Sequence, residues 1–399
     1  MNVNVYETLA AAGLVLLFGE RLVAALPLLR RWTIPEPVAG GLVAALAVFG
    51  LHAFAHVDIR FDVALQTPLM LAFFATIGLN AKLASLRAGG PVLVRFLIVV
   101  VGLLVLQNVV GIGMALMFGI DPLFGLLGGS ISLSGGHGTG AAWGKVFTAH
   151  YGLQSATEVA IACATFGLVI GGILGGPVAQ RLLKRIGHHL ADDDKATPDV
   201  YAFEEPKAEQ ATTPAAFINT LTLIAISLAA GSEIALVLAG TAFELPAFVC
   251  VLFVAVALAN VLAFAGRPVT EHAVALIGNA SLALFLAMAL MTLRLWDLAS
   301  LALPVFAILA AQTVLMVIYA LFVTFRAMGG DYDAIVLTAG QCGFGLGATP
   351  TAIANMQAVT ARHGHSHIAF LVVPMVAAFF IDVANAIVIK LFLALPLFH

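Results

Sequence analysis

"GGSISLSGGHGTGAAWG", Gly128–Gly144, is the stretch whose reading decides the fold. Seven of its seventeen residues are glycine, and His137 is its one side chain that titrates near neutrality. The flanks are continuous apolar text, VVVGLLVLQNVVGIGMALMF before and VAIACATFGLVIGGILGG after. Glycine is the poorest helix former after proline. Irregular backbone at membrane depth is tolerated only where protein buries it or where it lines a wet cavity. A glycine-rich break between two spanning helices therefore points to a built cavity.

The rest of the chain agrees with a membrane setting. Of its 399 residues 62% are hydrophobic and 10% charged, against roughly a quarter charged in soluble domains. The apolar residues come in runs of about the 20 needed to cross a bilayer. The formal charge of −3 argues against a nucleic-acid or acidic-surface partner; the lipid bilayer is the expected surrounding. Cys163, Cys250 and Cys342 lie in apolar text without metal-ligand spacing and read as packing residues. The N-terminus lacks a basic segment and a small-residue cleavage site, so it reads as a retained first helix. No Ser-His-Asp order, HExxH or P-loop occurs, which argues against an enzyme or a primary pump.

Ten apolar spans are expected, over about 7–29, 36–55, 66–83, 91–118, 156–183, 214–239, 245–266, 273–293, 299–325 and 366–394. Residues 186–213 carry seven of the 21 acids and few large apolar residues, and read as a solvated linker. The two sides of the linker repeat each other weakly. Gln107, Asp121 and a glycine-rich stretch on one side match Gln312, Asp331 and "GQCGFGLGATPTAIANMQ", Gly340–Gln357, on the other. Asp121 and Thr139 stand 18 apart, as do Asp331 and Thr349. The expected fold is thus an all-α polytopic membrane protein of two inverted repeats, 1–185 and 214–399. Each repeat has five transmembrane helices and one re-entrant hairpin between its fourth and fifth helices, at 123–144 and 334–357. An odd number of crossings inverts the second copy, as in many secondary transporters.

Lys and Arg set the expected orientation. With the N-terminus outside, thirteen of the 18 basic residues face the cytoplasm and four (Arg60, Lys145, Arg294, Lys390) face out, with Arg21 inside the first span. Both termini are then outside and the linker is cytoplasmic.

Two hairpins entering from opposite faces bring their tips together. Glycine there permits tight turns and close approach, and the N–H groups opening the following half-helix suit a carboxylate. The expected substrate-binding residues are Ser134, Gly135, Gly136, His137, Gly138, Thr139, Gly345, Gly347, Thr349, Thr351 and Asn355, with Ser130 beside them. Ser132, Glu158, Asp382 and Asn385 are the candidate Na⁺ ligands, since a hard cation takes oxygen. Charges inside helices are expensive, which singles out Asp382. Blander readings stand beside these. His137 reads either as a ligand contact or as satisfied by neighbours, and Glu158 either as functional or as favouring the helix dipole. Asn279, Gln107 and Gln312 equally suit interhelical bonds. Gly171, Gly172, Gly175 and Gly176 read as close-packing glycines, and Asp121 and Asp331 as caps. "HGHSH", His363–His367, reads as a solvated loop rather than a metal site.

Longer motifs carry a family likeness: "RWTIPEPVAGG" (31–41), "PLMLAFFATIGLNAKLASLRAGG" (68–90), "LSGGHGTGAAW" (133–143), "GTAFELP" (240–246), "GFGLGATPTAIANMQ" (343–357) and "FLVVPMVAAFFIDVANAIVIK" (370–390). Together they closely resemble the bacterial sodium/glutamate symporter family over nearly the whole chain except the linker. The resemblance implies Na⁺-coupled uptake of L-glutamate across a bacterial inner membrane, with D-glutamate left open, and no organic cofactor. It also implies two re-entrant pore loops and a homodimer in which a scaffold holds a mobile, elevator-like carrier working by alternating access. Spans 1, 2, 6 and 7 are expected in the scaffold, and spans 4, 5, 9 and 10 with both hairpins in the carrier; spans 3 and 8 are unassigned. The rivals are a Na⁺-coupled carrier of another carboxylate, such as citrate, and an ion channel. The hairpins contain no arginine, so the cationic partner of the substrate carboxylates is either absent or a residue such as Arg87 or Arg95.

Overall fold

Apolar runs in lipid become helices because a helix satisfies its own backbone. The computed structural model describes residues 2–31, 34–55, 57, 59–81, 84–186, 213–241, 245–267, 269–292, 301–364 and 366–398. The linker lies almost wholly outside the described residues, as do Lys82 and Arg294.

The helices are α1 (Val5–Ala25), α2 (Glu36–Ala55), α3 (Gln66–Leu79) and α4 (Ala84–Met117), then α5 (Pro122–Ile131), α6 (Gly136–Tyr151) and α7 (Ala156–Ile186). After the linker come α8 (Pro214–Leu238), α9 (Ala247–Phe264), α10 (Glu271–Met291), α11 (Ala302–Ala327), α12 (Tyr332–Leu346) and α13 (Thr349–His363). The chain ends with α14 (His367–Met375), a π-helical turn at Val376–Phe380, and α15 (Ile381–Leu393). A two-residue parallel bridge ties Asn2 and Val3 to Arg60 and Phe61.

Eight described helices are long and apolar enough to cross a bilayer, or nine if α14 and α15 form one span bent by 48°. Ten were expected, and the shortfall is α3, whose fourteen residues rise only about 21 Å. The expected tenth span is broken: Pro374 removes a backbone donor and the π-helical turn follows it. The fourth expected span is longer than its apolar run, because α4 continues back to Ala84 across a break at Gly90, just before Pro91.

Helix packing sorts the elements into two groups. In one, α1 packs on α2 and α10, and α3 packs on α8, α9 and α10. In the other, α4 packs on α5, α11 and α15, while α7 packs on α6, α12 and α13. The third and eighth spans, α3 and α10, thus join the first group. The seam runs along α6. Its Gly138 faces Phe73 of α3 and Leu282 of α10, its Trp143 stacks edge-on to Phe248 of α9, and its Lys145 Nζ lies 5.9 Å from the Phe285 ring of α10.

Candidate functional site

Both glycine-rich stretches are more helical than their composition suggests. In the first, α5 ends in a π-helical turn at Leu127–Ile131, with Gly129 out of the helical region, and α6 starts at Gly136. Only Ser132–Gly135 lie between them. In the second, α12 and α13 are separated by Gly347 and Ala348 alone. The helices flanking the two breaks run over Pro122–Tyr151 and Tyr332–His363, beyond the stretches 123–144 and 334–357 expected from the sequence. Asp121 and Asp331 cap the starts, their side-chain oxygens accepting from Leu123 N at 2.9 Å and Ala334 N at 2.8 Å. Helical pairing inside the arms, and burial of most of their residues, satisfy backbone groups that irregular chain at membrane depth would leave without partners.

The two breaks meet. The Ser134 hydroxyl lies 3.1 Å from the Gly345 carbonyl oxygen and 2.7 Å from Gln107 Oε1, while Gln107 Nε2 donates to the same carbonyl at 2.7 Å. Gly136, at φ 70°, faces the Gly347 carbonyl: a Cβ there would stand 3.7 Å from it. This positive φ turns the chain into α6 and favours glycine. On the far side of α4, Gln312 Nε2 donates to the Gln107 carbonyl at 2.6 Å.

The last carbonyls of a helix have no partner within it, and here they receive amides from distant elements. Gly345 O at the end of α12 receives Gln107 of α4, and Ser130 O at the end of α5 receives Asn385 Nδ2 of α15 at 2.9 Å and Gly135 N at 3.0 Å. Asn108 Oδ1 accepts from Ser130 N at 3.0 Å, so Ser130 is held from both sides. The Thr139 side chain lies beside the Asp382 carboxyl, and the Thr349 hydroxyl donates to Ala377 O at 3.0 Å. The broken tenth span thus touches both hairpins.

Around these contacts several buried polar atoms have no hydrogen-bond partner among the described residues: Asn108 Nδ2, Ser130 Oγ, Ser132 Oγ, Asn385 Oδ1, Gln312 Oε1 and Thr351 Oγ1. An unpaired buried polar atom costs about 1–3 kcal/mol. Such a cluster beside two helix starts can coordinate a cation through oxygen and an anion through N–H groups.

Not every expected site residue joins this cluster. His137 Nε2 is 3.0 Å from Thr165 Oγ1, whose own hydroxyl donates to Ile161 O at 2.8 Å. The ring therefore donates to Thr165, and this nitrogen is occupied by a neighbour. Asn355 Nδ2 donates to Gly171 O at 2.8 Å and Ala339 O at 3.3 Å, tying α13 to α7 and α12 away from the tips. Glu158 is in the first turn of α7, nine residues before Gly167, where Leu346 crosses; that is about 13 Å along the helix. Arg95 is exposed and twelve residues before Gln107 on α4, about 18 Å away, while the Arg87 side chain lies outside the described residues. Asn108 and Thr165 were not singled out from sequence. Asn108 carried a signal, an amide in the middle of an apolar span. Thr165 carried none.

Gly171 and Gly175 pack as expected of small residues. A Cβ at Gly171 would stand 2.9 Å from Gly343 O and one at Gly175 2.3 Å from Asn355 Nδ2; Gly176 has nothing within 4 Å.

The sequence profile of the sodium/glutamate symporter family matches residues 1–365. A sodium/glutamate symporter of Escherichia coli (strain K12) is 61% identical over 399 residues, covering 100% of this chain and 99% of that protein. One of Haemophilus influenzae is 50% identical over 389 residues, covering 97% and 96%. Among solved structures, a sodium proton antiporter from Methanocaldococcus jannaschii superposes over 98% of each chain at a TM-score of 0.44 and 13% identity. With the profile and both relatives matching nearly end to end, the chain belongs to the sodium/glutamate symporter family.

Proposed function

We propose that this protein couples the inward movement of Na⁺ to uptake of glutamate across a bacterial inner membrane, by alternating access of the site where the two hairpins meet. The relatives at 61% and 50% identity bear the name sodium/glutamate symporter, and the tip geometry supplies the chemistry. Asn385 Oδ1, Ser130 Oγ, Ser132 Oγ and the Asp382 carboxyl hold Na⁺. The N–H groups opening α6 and α13, with the unpaired Thr351 hydroxyl, receive the glutamate carboxylates.

The hairpins enter from opposite membrane faces as parts of two inverted repeats, with both termini periplasmic and the linker cytoplasmic. Na⁺ binds first and orders the tips, which lowers the ordering cost that glutamate would otherwise meet. The group containing α4–α7 and α11–α15 is the carrier. It moves along the α6 seam against α1–α3 and α8–α10, which form the scaffold of a homodimer.

Charge decides the energetics. Glutamate carries one net negative charge, so a single Na⁺ moves it electroneutrally and gains nothing from the membrane potential. A second Na⁺ makes the step electrogenic, worth about 2.3 kcal/mol per 100 mV, about a fortyfold gradient.

The observation carrying this reading is the Ser134–Gly345–Gln107 junction, together with the buried polar atoms on the same elements that have no partner among the described residues. Uptake of labelled L-glutamate into proteoliposomes tests it: uptake requires an inward Na⁺ gradient, and aspartate, citrate and D-glutamate are added as competitors. Uptake indifferent to Na⁺ overturns the coupling. Citrate outcompeting L-glutamate changes the cargo, and currents far above carrier turnover make the protein a channel.

A further inference from the structure

The C-terminal end of α7 carries Arg181, Lys184 and Arg185, three cations crowded onto one face by their i, i+3, i+4 spacing. Opposite them is the π-helical turn of α11, Ala320–Thr324, which presents Leu321 and Phe322. These five residues and Leu182 line a cleft of about 480 Å³. Arg326 adds a fourth cation at the rim, 5.8 Å from the Phe322 ring, and Phe322 is half exposed. Among the described residues no carboxylate pairs with any of the four.

Helix polarity and the topological bias of basic residues explain why cations gather at this helix end. They do not explain a cleft with a cationic wall facing an apolar one. Like charges at i, i+3 and i+4 repel, and a counter-ion relieves them. The occupant that fits both walls is amphiphilic, with an anionic head and an apolar tail.

We propose that this cleft binds the phosphate headgroup of an anionic phospholipid, with an acyl chain lying along Leu321 and Phe322. Arginine matches phosphate with two parallel hydrogen bonds, and basic pockets between spanning helices suit such headgroups. A zwitterionic headgroup brings its own ammonium against the cationic wall and is disfavoured. The lipid bridges α7, which holds both hairpins, to α11, and so it moves with them. The proposal is independent of the cargo.

Native mass spectrometry of the purified full chain, titrated with phosphatidylglycerol, phosphatidylcholine or glycerol phosphate, tests it. Phosphatidylglycerol is expected to bind at least tenfold more tightly than phosphatidylcholine. The R181Q/K184Q/R185Q variant weakens it about 100-fold, whereas R181K/R185K retains binding within about tenfold. L321Q/F322Q, which keeps every cation, weakens phosphatidylglycerol but not glycerol phosphate. Thermal unfolding midpoints in detergent show that each variant is folded. Equal binding of the two lipids overturns the proposal, as does an unaffected triple-glutamine variant. Glycerol phosphate displacing the lipid at equal concentration makes the cleft a site for free phosphate. Neutralising the seven acids of 186–213 is expected to leave lipid binding unchanged. A tenfold gain there makes the linker the occupant and overturns the lipid assignment.

Discussion

Gln107 joins three separate elements to α4. Its side chain meets Ser134 and Gly345 at the junction of the hairpins, and its backbone carbonyl receives Gln312. Gln107→Ala leaves the Gly345 carbonyl with Ser134 alone, a cost of about 1–3 kcal/mol. Initial uptake at matched expression is expected to fall about 5- to 150-fold; full activity would show that the junction does not form the site. The two asparagines separate by what they touch. Asn385→Ala removes an unpaired oxygen and the amide on Ser130, and is expected to raise the Na⁺ concentration for half-maximal uptake at least tenfold. Asn355→Ala cuts the tie to Gly171 and Ala339, and is expected to lower the thermal unfolding midpoint while shifting that Na⁺ concentration by less than twofold.

Helix α7 is the element on which both hairpins rest, and its glycines set how closely they approach. A Cβ at Gly167 would lie 2.0 Å from the Leu346 backbone oxygen, whereas one at Gly176 meets nothing within 4 Å. Gly167→Ala must displace α12 and is expected to destabilise by about 1–3 kcal/mol. Gly176→Ala stiffens a half-buried helical position with room for the methyl group and is expected to stabilise by about 0.5–1 kcal/mol. Thermal unfolding in detergent reads both, and opposite signs from one chemical change in one helix distinguish contact from propensity. The other element with consequences is the bent pair α14–α15. Without the π-helical turn after Pro374, Thr349 would not find Ala377 O in its present place.

For the whole molecule, the grouping of helices makes a mechanical prediction. If the hairpin group slides against α1–α3 and α8–α10, contacts along α6 must break in each cycle. A K145C/F285C pair, in a background without the buried cysteines Cys163, Cys250 and Cys342, spans that seam. A mercuric cross-link is expected to stop uptake, and excess thiol to restore it. Continued transport with the pair fully cross-linked would mean that the groups do not move past each other there. Membrane potential separates the two charge balances: an inside-negative potential accelerates uptake if two or more Na⁺ accompany each glutamate and leaves it unchanged if one does.

The membrane class, the position of nearly every helix and the existence of two glycine-rich breaks were legible in the sequence alone, because each follows from local chemistry: length of apolar run, glycine content and capping aspartates. The meeting of the breaks was a sound expectation, but the residues that hold them were not legible. Asn108, Thr165 and the bend before Asp382 acquire meaning only through elements 22 to 255 residues away in the chain. A lone amide in an apolar span reads the same whether it bonds a neighbouring helix or a cargo. Only the tertiary structure decides, because hydrogen bonding depends on which atoms packing brings within about 3 Å, and periodicity records only which face a residue occupies.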